Sequence, residues 1–284
     1  MEGTVVDLGD GLVAKIWHSR PRRELLTLRS FYEALSSAEP GVMTPRIHRI
    51  LELDGQAATV ETRLEGRPLR DSMSDDAHHL NAPAVACVVD VLDTLARVVP
   101  TDAMKVLPVL AGEPAFDGQR TFERSLADLV ERRAQKFRGP LSARIHQLDD
   151  VVTATSACLT EPEPAPPRLI HGDLIPANIL VDSATRPVAT LDFGFLTTVG
   201  DSAFDAAITA SIYDMYGPRA AVNEAILEEA IVDRFGYEPR RLLIYRSAYA
   251  LVTSNCFSPA GTDGHFEWCL RMLARPQLRE ALDL

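Results

Sequence analysis

The chain has 284 residues, 46% of them hydrophobic, and a formal net charge of −11. That size and apolar content support one large core or two modest ones and exclude a disordered chain, while the acidic balance speaks against general nucleic-acid binding, which needs a basic face to meet phosphates. Residues 1–70 hold ten basic and ten acidic side chains against 19 and 30 in residues 71–284, so the imbalance sits in the second part, where it suits either a cationic ligand or plain solubility.

The first part reads as strands and one helix. Thr4 to Leu8 and Leu12 to Trp17 are β-rich runs around Gly9-Asp10-Gly11, and the Asp-Gly step predicts a hairpin. After Pro21 a helix is predicted from Leu25, Leu28, Tyr32 and Leu35, ending near the breaker at Ser36 to Gly41. Two more β-rich runs, Arg46 to Leu53 and Ala57 to Leu64, flank Asp54-Gly55, and Glu65-Gly66-Arg67-Pro68 breaks the pattern. A small domain over 1–65 and a larger one over 66–284 follow from this.

The larger part is predicted to be mainly helical, with segments near 77–98, 120–137, 141–159, 202–215, 221–235, 238–256 and 264–282. Its middle differs. EPEPAPP at 161–167 reads as a stiff connector, followed by RLIHGDLIPANILVD and PVATLDFGF, two short apolar runs around a polar loop. The apolar stretches are short and broken by charges, as at Asp90, so no membrane span is expected. The start MEGTVVDLGD lacks the layout of a secretory signal and predicts a cytoplasmic protein.

The chemistry concentrates in that middle segment. Phosphoryl transfer to an alcohol requires a carboxylate to orient the acceptor hydroxyl, and a second carboxylate with an amide oxygen to hold magnesium against the phosphates. In HGDLIPANIL, Asp173 precedes Asn178 by five residues across a loop containing Pro176, and in LDFGF, Asp192 follows a β-rich run beside Gly194. Ordinary turn or cap acids are the alternative reading, but turn chemistry alone does not demand the set.

Together these segments resemble the catalytic and metal loops of the aminoglycoside phosphotransferase family, whose core is shared with protein kinases. The resemblance implies an α+β bilobal fold, a small β-sheet lobe with one helix above a mostly helical lobe, and a kinase using ATP or GTP with Mg2+. By the same match Asp173 is the catalytic base or hydroxyl-orienting group, Asn178 and Asp192 are metal ligands, and His171 supports the loop. Lys15, in GLVAKIW, matches the strand lysine that meets nucleotide phosphates. Its helix partner would be Glu24, with Glu33 as the fallback; alone, Lys15 would read as a strand lysine reaching for water. RLEGRPL resembles the hinge between lobes, with base contacts expected around Glu61, Thr62, Arg63 and Leu64, although an ordinary strand exit explains the same Gly and Pro. In GDSAFDAA, Asp205 matches an anchor for the catalytic loop, while Asp201 or Ser202 would cap the following helix.

One departure is visible. Family members begin with a strand and a phosphate-covering loop before the hairpin, and here only Met1 to Gly3 precede the first strand. No GxxxxGK[ST] stretch offers a Walker-type alternative.

The resemblance builds the acceptor pocket from helical carboxylates, which makes Asp263 and Glu267 possible ligands for a cationic substrate; a helix cap explains Asp263 as well. Cys87, Cys158, Cys256 and Cys269 have no CxxC pair and read as reduced thiols. His78, His79, His146 and His265 lack metal-ligand spacing, and the charged face of TFERSLADLVERRAQKFR reads as solvated. Three functional readings follow: an antibiotic-modifying kinase, a kinase of another alcohol such as an amino alcohol, sugar or homoserine, and a silent nucleotide-binding module. The expected partners are nucleotide and a small alcohol, neither nucleic acid nor membrane, in a monomer or homodimer.

Overall fold

A computed structural model describes residues 3–18, 20–39, 41–53, 55–72, 80–161 and 163–284; His78 and His79 lie outside it. The chain opens with β1 (Gly3–Gly9) and β2 (Leu12–Trp17), then α1 (Arg22–Ser37), β3 (Ile47–Leu53) and β4 (Gln56–Thr62). These strands form an antiparallel sheet in the order β1-β2-β4-β3. The hairpin turns at Gly9, Asp10 and Gly11, all with φ between 50° and 76°, a left-handed path that glycine and aspartate tolerate. Helix α1 buries Leu25, Leu28, Phe31, Tyr32 and Leu35, one stripe at three- and four-residue spacing.

The remainder runs through β5 (Arg67–Pro68), α2 (Ala82–Arg97), α3 (Phe122–Lys136), α4 (Arg138–Ser142), α5 (Leu148–Thr160), β6 (Arg168–Ile170), β7 (Ile179–Val181), β8 (Pro187–Thr190) and β9 (Thr198–Gly200). It ends with α6 (Ser202–Ile212), α7 (Ala220–Phe235), α8 (Pro239–Thr253), α9 (Gly264–Leu273) and α10 (Pro276–Ala281). Asn81 caps α2 by accepting from the Ala84 N–H at 2.9 Å, so this helix starts later than its apolar spacing suggests. The helix expected over 141–159 is two, because the chain takes a left-handed step at Gln147 (φ 56°) after burying Ile145. The one expected over 264–282 breaks at Pro276, which has no N–H to continue the ladder.

Two apolar cores hold the molecule. One joins Trp17, Leu28 and Phe31 to Leu69, Val88, Ile179 and Phe193, so packing runs across residue 65 from the sheet into the helical part. The other gathers α3, α5, α6, α8 and α9 around Phe204, Tyr245 and Phe266. Short pairs β7–β8 and β6–β9 lie between, and the loops after β6 and β8 emerge side by side. Among the described residues no helix is long and apolar enough to cross a membrane.

Candidate active site

Strand β6 delivers His171, Gly172 and Asp173 into a loop that closes through a turn at Pro176–Asn178 into β7. Gly172 adopts φ 84°, and a Cβ there would come within 2.3 Å of the Phe195 carbonyl oxygen, so no larger residue fits. The Asp205 carboxylate, buried on the first turn of α6, receives the His171 and Gly172 N–H groups, each at 2.8 Å. Burial pushes this carboxyl up to about 6, against the pull of the two amides.

His171 ties this loop to the next one. Its Nε2 lies 2.8 Å from the Leu191 carbonyl, while its Nδ1 is 3.3 Å from the Asp173 N–H, an arrangement satisfied by the neutral ring protonated on Nε2. Burial pushes its pKa down to about 4, which agrees with that neutral form. Thr197 completes the clamp, donating its hydroxyl to the His171 carbonyl at 2.6 Å and accepting the Gly194 N–H at 2.7 Å.

The second loop, Leu191 to Leu196, is tightly bent: Asp192 and Leu196 sit at φ 56° and 55°, and Gly194 at 138°. Left-handed backbone at a non-glycine residue costs on the order of 1–2 kcal/mol and persists where surrounding contacts dictate it. Here they do: the Leu191 N–H donates to the Asn178 carbonyl at 2.8 Å, and Phe193 is buried against Phe31, Tyr32 and His171. Asn178 in turn donates its side-chain N–H to the Asp173 carbonyl at 2.8 Å, which leaves its Oδ1 as the free acceptor. Asp173, Asn178 and Asp192 are thus joined through a single hydrogen-bonded unit.

Lys15 meets this unit from the sheet. Its Nζ lies 2.7 Å from Asp192 Oδ1 and 4.0 Å from the centre of the Trp17 ring. Among the described residues Lys15 forms no ion pair with Glu24 and is held by Asp192 instead, although Glu24, four residues before Leu28 and seven before Phe31, lies on the inward stripe of α1. Glu33 is turned away from that stripe and pairs with Arg29 at 2.9 Å. The carboxylate nearest Lys15 in the sheet is Glu61, buried on β4, which accepts a hydrogen bond from Thr59 and whose pKa burial raises against the pull of Thr59 and Lys15. Lys15 pairs with Thr59 across β2 and β4, so Glu61 is its diagonal neighbour on the same face.

A cleft of about 340 Å³ opens between sheet and loops, lined by Val13, Lys15, Trp17, Tyr32, Glu61, Leu64 and Asp192 among others. Thr62 and Arg63 also line it, but their N–H groups are taken by the Arg46 carbonyl at 3.1 Å and the Gly11 carbonyl at 2.8 Å. Arg63 also pairs with Asp7 at 2.7 Å. The glycine turn of the hairpin therefore sits at the hinge end of the cleft, away from Lys15.

Of the expected acceptor carboxylates, Asp263 caps α9 through Oδ1, accepting the Phe266 N–H at 2.7 Å, while its Oδ2 is buried with no hydrogen-bond partner among the described residues. Glu267 is held by Arg144 in a two-pronged ion pair of 2.7 and 2.9 Å. Sequence reasoning missed Trp17, which period-2 alternation from Lys15 would have put on the same face, and Tyr249, for which no local signal exists. Tyr249 is buried on α8; burial raises its pKa well above the ordinary value, and the Asp173 charge adds to that.

For a magnesium ion the donors fit: one carboxylate and one amide oxygen, completed by phosphate oxygens, match a cation that seldom uses an all-protein cage. Among the described residues no cluster of three His, Cys, Asp or Glu side chains forms a metal cage of its own.

A four-stranded sheet with one helix, set over a helical body with two polar loops at the junction, is the bilobal protein-kinase-like fold. The sequence profile of the phosphotransferase enzyme family (APH) matches residues 3–243, and the chain belongs to that family. Solved structures share the fold at low identity. An aminoglycoside phosphotransferase, APH(3'')-Id from Streptomyces rimosus, is 19% identical with a TM-score of 0.58, covering 87% of each chain. The GDP complex of aminoglycoside 2'-phosphotransferase-IIIa is 16% identical with a TM-score of 0.63, over 96% of this chain and 89% of its own. The macrolide 2'-phosphotransferase MphH from Brachybacterium faecium is 17% identical with a TM-score of 0.54, over 97% and 90%. No curated protein matches.

Proposed function

We propose that this phosphotransferase moves the γ-phosphoryl group of ATP or GTP to a hydroxyl of a small, antibiotic-like alcohol. The observation that carries the reading is the hydrogen-bonded unit joining Asp173, Asn178, His171 and Leu191, with Lys15 reaching Asp192 from the opposite wall. Solved relatives of the same fold hold GDP, or ADP with streptomycin, which supports a nucleotide and a hydroxylated antibiotic in such a cleft.

In this reading the base lies along Val13 and Leu64, where the Leu64 amide is the hinge contact left once Thr62 and Arg63 are spent. The phosphates point toward Lys15, which leaves Asp192 for them when nucleotide binds. Asn178 Oδ1 and the Asp192 carboxylate hold magnesium, which offsets phosphate charge when bound. Asp173 accepts the hydroxyl proton as the acceptor oxygen bonds to phosphorus, and the bond from phosphorus to the bridging oxygen breaks with its electron pair leaving on the nucleoside diphosphate. His171, neutral and buried, positions the Asp173 amide and carries no proton in the step. Asp205 holds the loop from below.

The test is Asp173→Ala in purified protein, assayed with both nucleotides against hydroxylated antibiotics and metabolic alcohols. Turnover should fall by about 10³, within the range for a lost proton acceptor, while nucleotide affinity and melting temperature hold. Turnover equal to the parent protein's would remove Asp173 from the chemistry.

A further inference from the structure

A set of aromatic rings packs beside the catalytic loop. It begins at Tyr249 on α8, whose pKa the Asp173 charge helps to raise, and runs outward through continuous ring contacts. Tyr249 meets His265 edge-on at 6.3 Å, and His265 meets Phe257 edge-on at 5.1 Å. Phe257 then stacks on Phe195 at 6.2 Å with the planes 7° apart. That last ring returns to the catalytic loop, since the Phe195 carbonyl packs directly on Gly172, the residue before Asp173. The patch is thereby tied to the catalytic loop through Phe195. Behind it, Trp268 stacks on His265 at 5.9 Å and braces the set.

Two of these neighbours face water. Phe257 is 68% exposed and Tyr216 is 63% exposed. Both converge on His265: Phe257 through its ring, Tyr216 through its hydroxyl, 3.2 Å from Nδ1. An aromatic ring held rigidly by stacking yet left open offers a flat apolar face at low entropic cost to whatever binds there. Of the carboxylates nearby, Glu267 is paired with Arg144, while Asp263 gives Oδ1 to the start of α9 and keeps Oδ2 buried without a hydrogen-bond partner among the described residues.

We infer that the acceptor is an alcohol with an apolar or aromatic ring face, which lies on Phe257 and Tyr216 while its hydroxyl reaches Asp173. This rests on the assignment of Asp173 made above and adds the substrate class. The occupant is the acceptor itself, because the exposed Phe257 stacks on Phe195, whose carbonyl packs on the residue before Asp173, where the oxygen that takes the phosphoryl group has to lie.

The experiment uses the full chain with magnesium and each nucleotide. Erythromycin and a para-nitrophenyl glycoside serve as ring-faced probes, gentamicin and streptomycin as polycations; nucleoside diphosphate release and probe binding by calorimetry are the readouts. At least one ring-faced probe should bind and be turned over with a kcat/KM roughly tenfold or more above either polycation. Phe257→Ala should raise its KM roughly tenfold with a smaller change in kcat, and Phe257→Tyr should restore it. Preference for the polycations, binding of neither ring-faced probe, or a KM indifferent to Phe257→Ala overturns the inference. If the parent chain neither binds nucleotide nor hydrolyses it slowly with magnesium, the kinase reading itself fails. If it does both and the ring preference is absent, only the substrate class fails.

Discussion

The two sides of the cleft are held by different means. On the nucleotide side, charged and amide side chains project from short loops clamped by backbone hydrogen bonds, with Asp205 and His171 binding loop to loop over 2.8 Å contacts. On the side proposed for the acceptor, rings from α8, α9, the segment after α8 and the segment after α6 meet mainly through ring packing, with His265 also hydrogen-bonded to Tyr216 and Thr253. The contrast separates chemistry from selectivity. Groups that must hold a metal and a proton within a few tenths of an ångström are fixed by directional bonds, whereas a surface that sorts substrates by shape needs only well-packed apolar faces.

Substitutions sharpen or break that division. The largest effect is expected from Asp192→Asn, which removes the carboxylate proposed for magnesium and the ion pair with Lys15. Turnover at saturating substrate should drop by about 10³ and recover only partly with excess magnesium; activity within a few-fold of the parent would show that the bent loop is scaffolding only.

Asp205→Asn comes next. An amide presents one acceptor oxygen to two N–H donors and turns its own NH2 against the other, at a cost of about 2–3 kcal/mol in denaturant unfolding. Turnover should fall with it, because the loop carrying Asp173 loses its anchor. A stable but inactive variant, or an unstable active one, would uncouple the clamp from the chemistry.

A pH series reads the same clamp with smaller effect. The folded-state pKa of His171 is about 4, below the ordinary 6.5, so between those values the unfolded chain binds a proton that the folded chain refuses. Stability is therefore lost as pH falls through that window, by up to about 3 kcal/mol. Asp205 acts with the opposite sign, since its carboxyl, raised from 3.8 to about 6, takes up a proton first in the folded state and adds stability on acidification. The two partly cancel in the parent protein, so the comparison that isolates the histidine is with His171→Gln. Urea midpoints at about pH 7 and pH 5 should fall less in the variant than in the parent; parallel losses would mean His171 is not buried as the neutral ring.

Smallest is Glu267→Ala. Its ion pair with Arg144 is exposed, and activity on any acceptor should stay within about twofold. A marked rise in KM for a cationic acceptor would move the substrate site onto α9 and undo the contrast.

How much of this could be read in advance follows from the same distinction. The candidate loops were legible because they are local: His171, Asp173 and Asn178 lie within one turn-forming segment, and Asp192 with Gly194 within another, so each set stood together in the sequence and its roles came from the family resemblance. The hairpin, the inward stripe of α1 and most helices followed from period-2 and period-3.6 patterns. Glu24 lies on the inward stripe of α1, but Lys15 is held by Asp192, 177 positions away, a partner that helix phase says nothing about. The splits at Gln147 and Pro276 escaped because apolar spacing continued across both.

By itself, the order of residues determined which elements form and which reactive groups leave the strand ends together, since both depend on neighbours a few positions apart. Only the tertiary structure decided that Lys15 faces Asp192 and lies diagonal to Glu61, that Glu267 pairs with Arg144, and that Tyr249, Phe257 and Tyr216 gather around His265. Those relations join residues dozens to well over a hundred positions apart, and they are settled by how apolar faces pack, which no local pattern encodes.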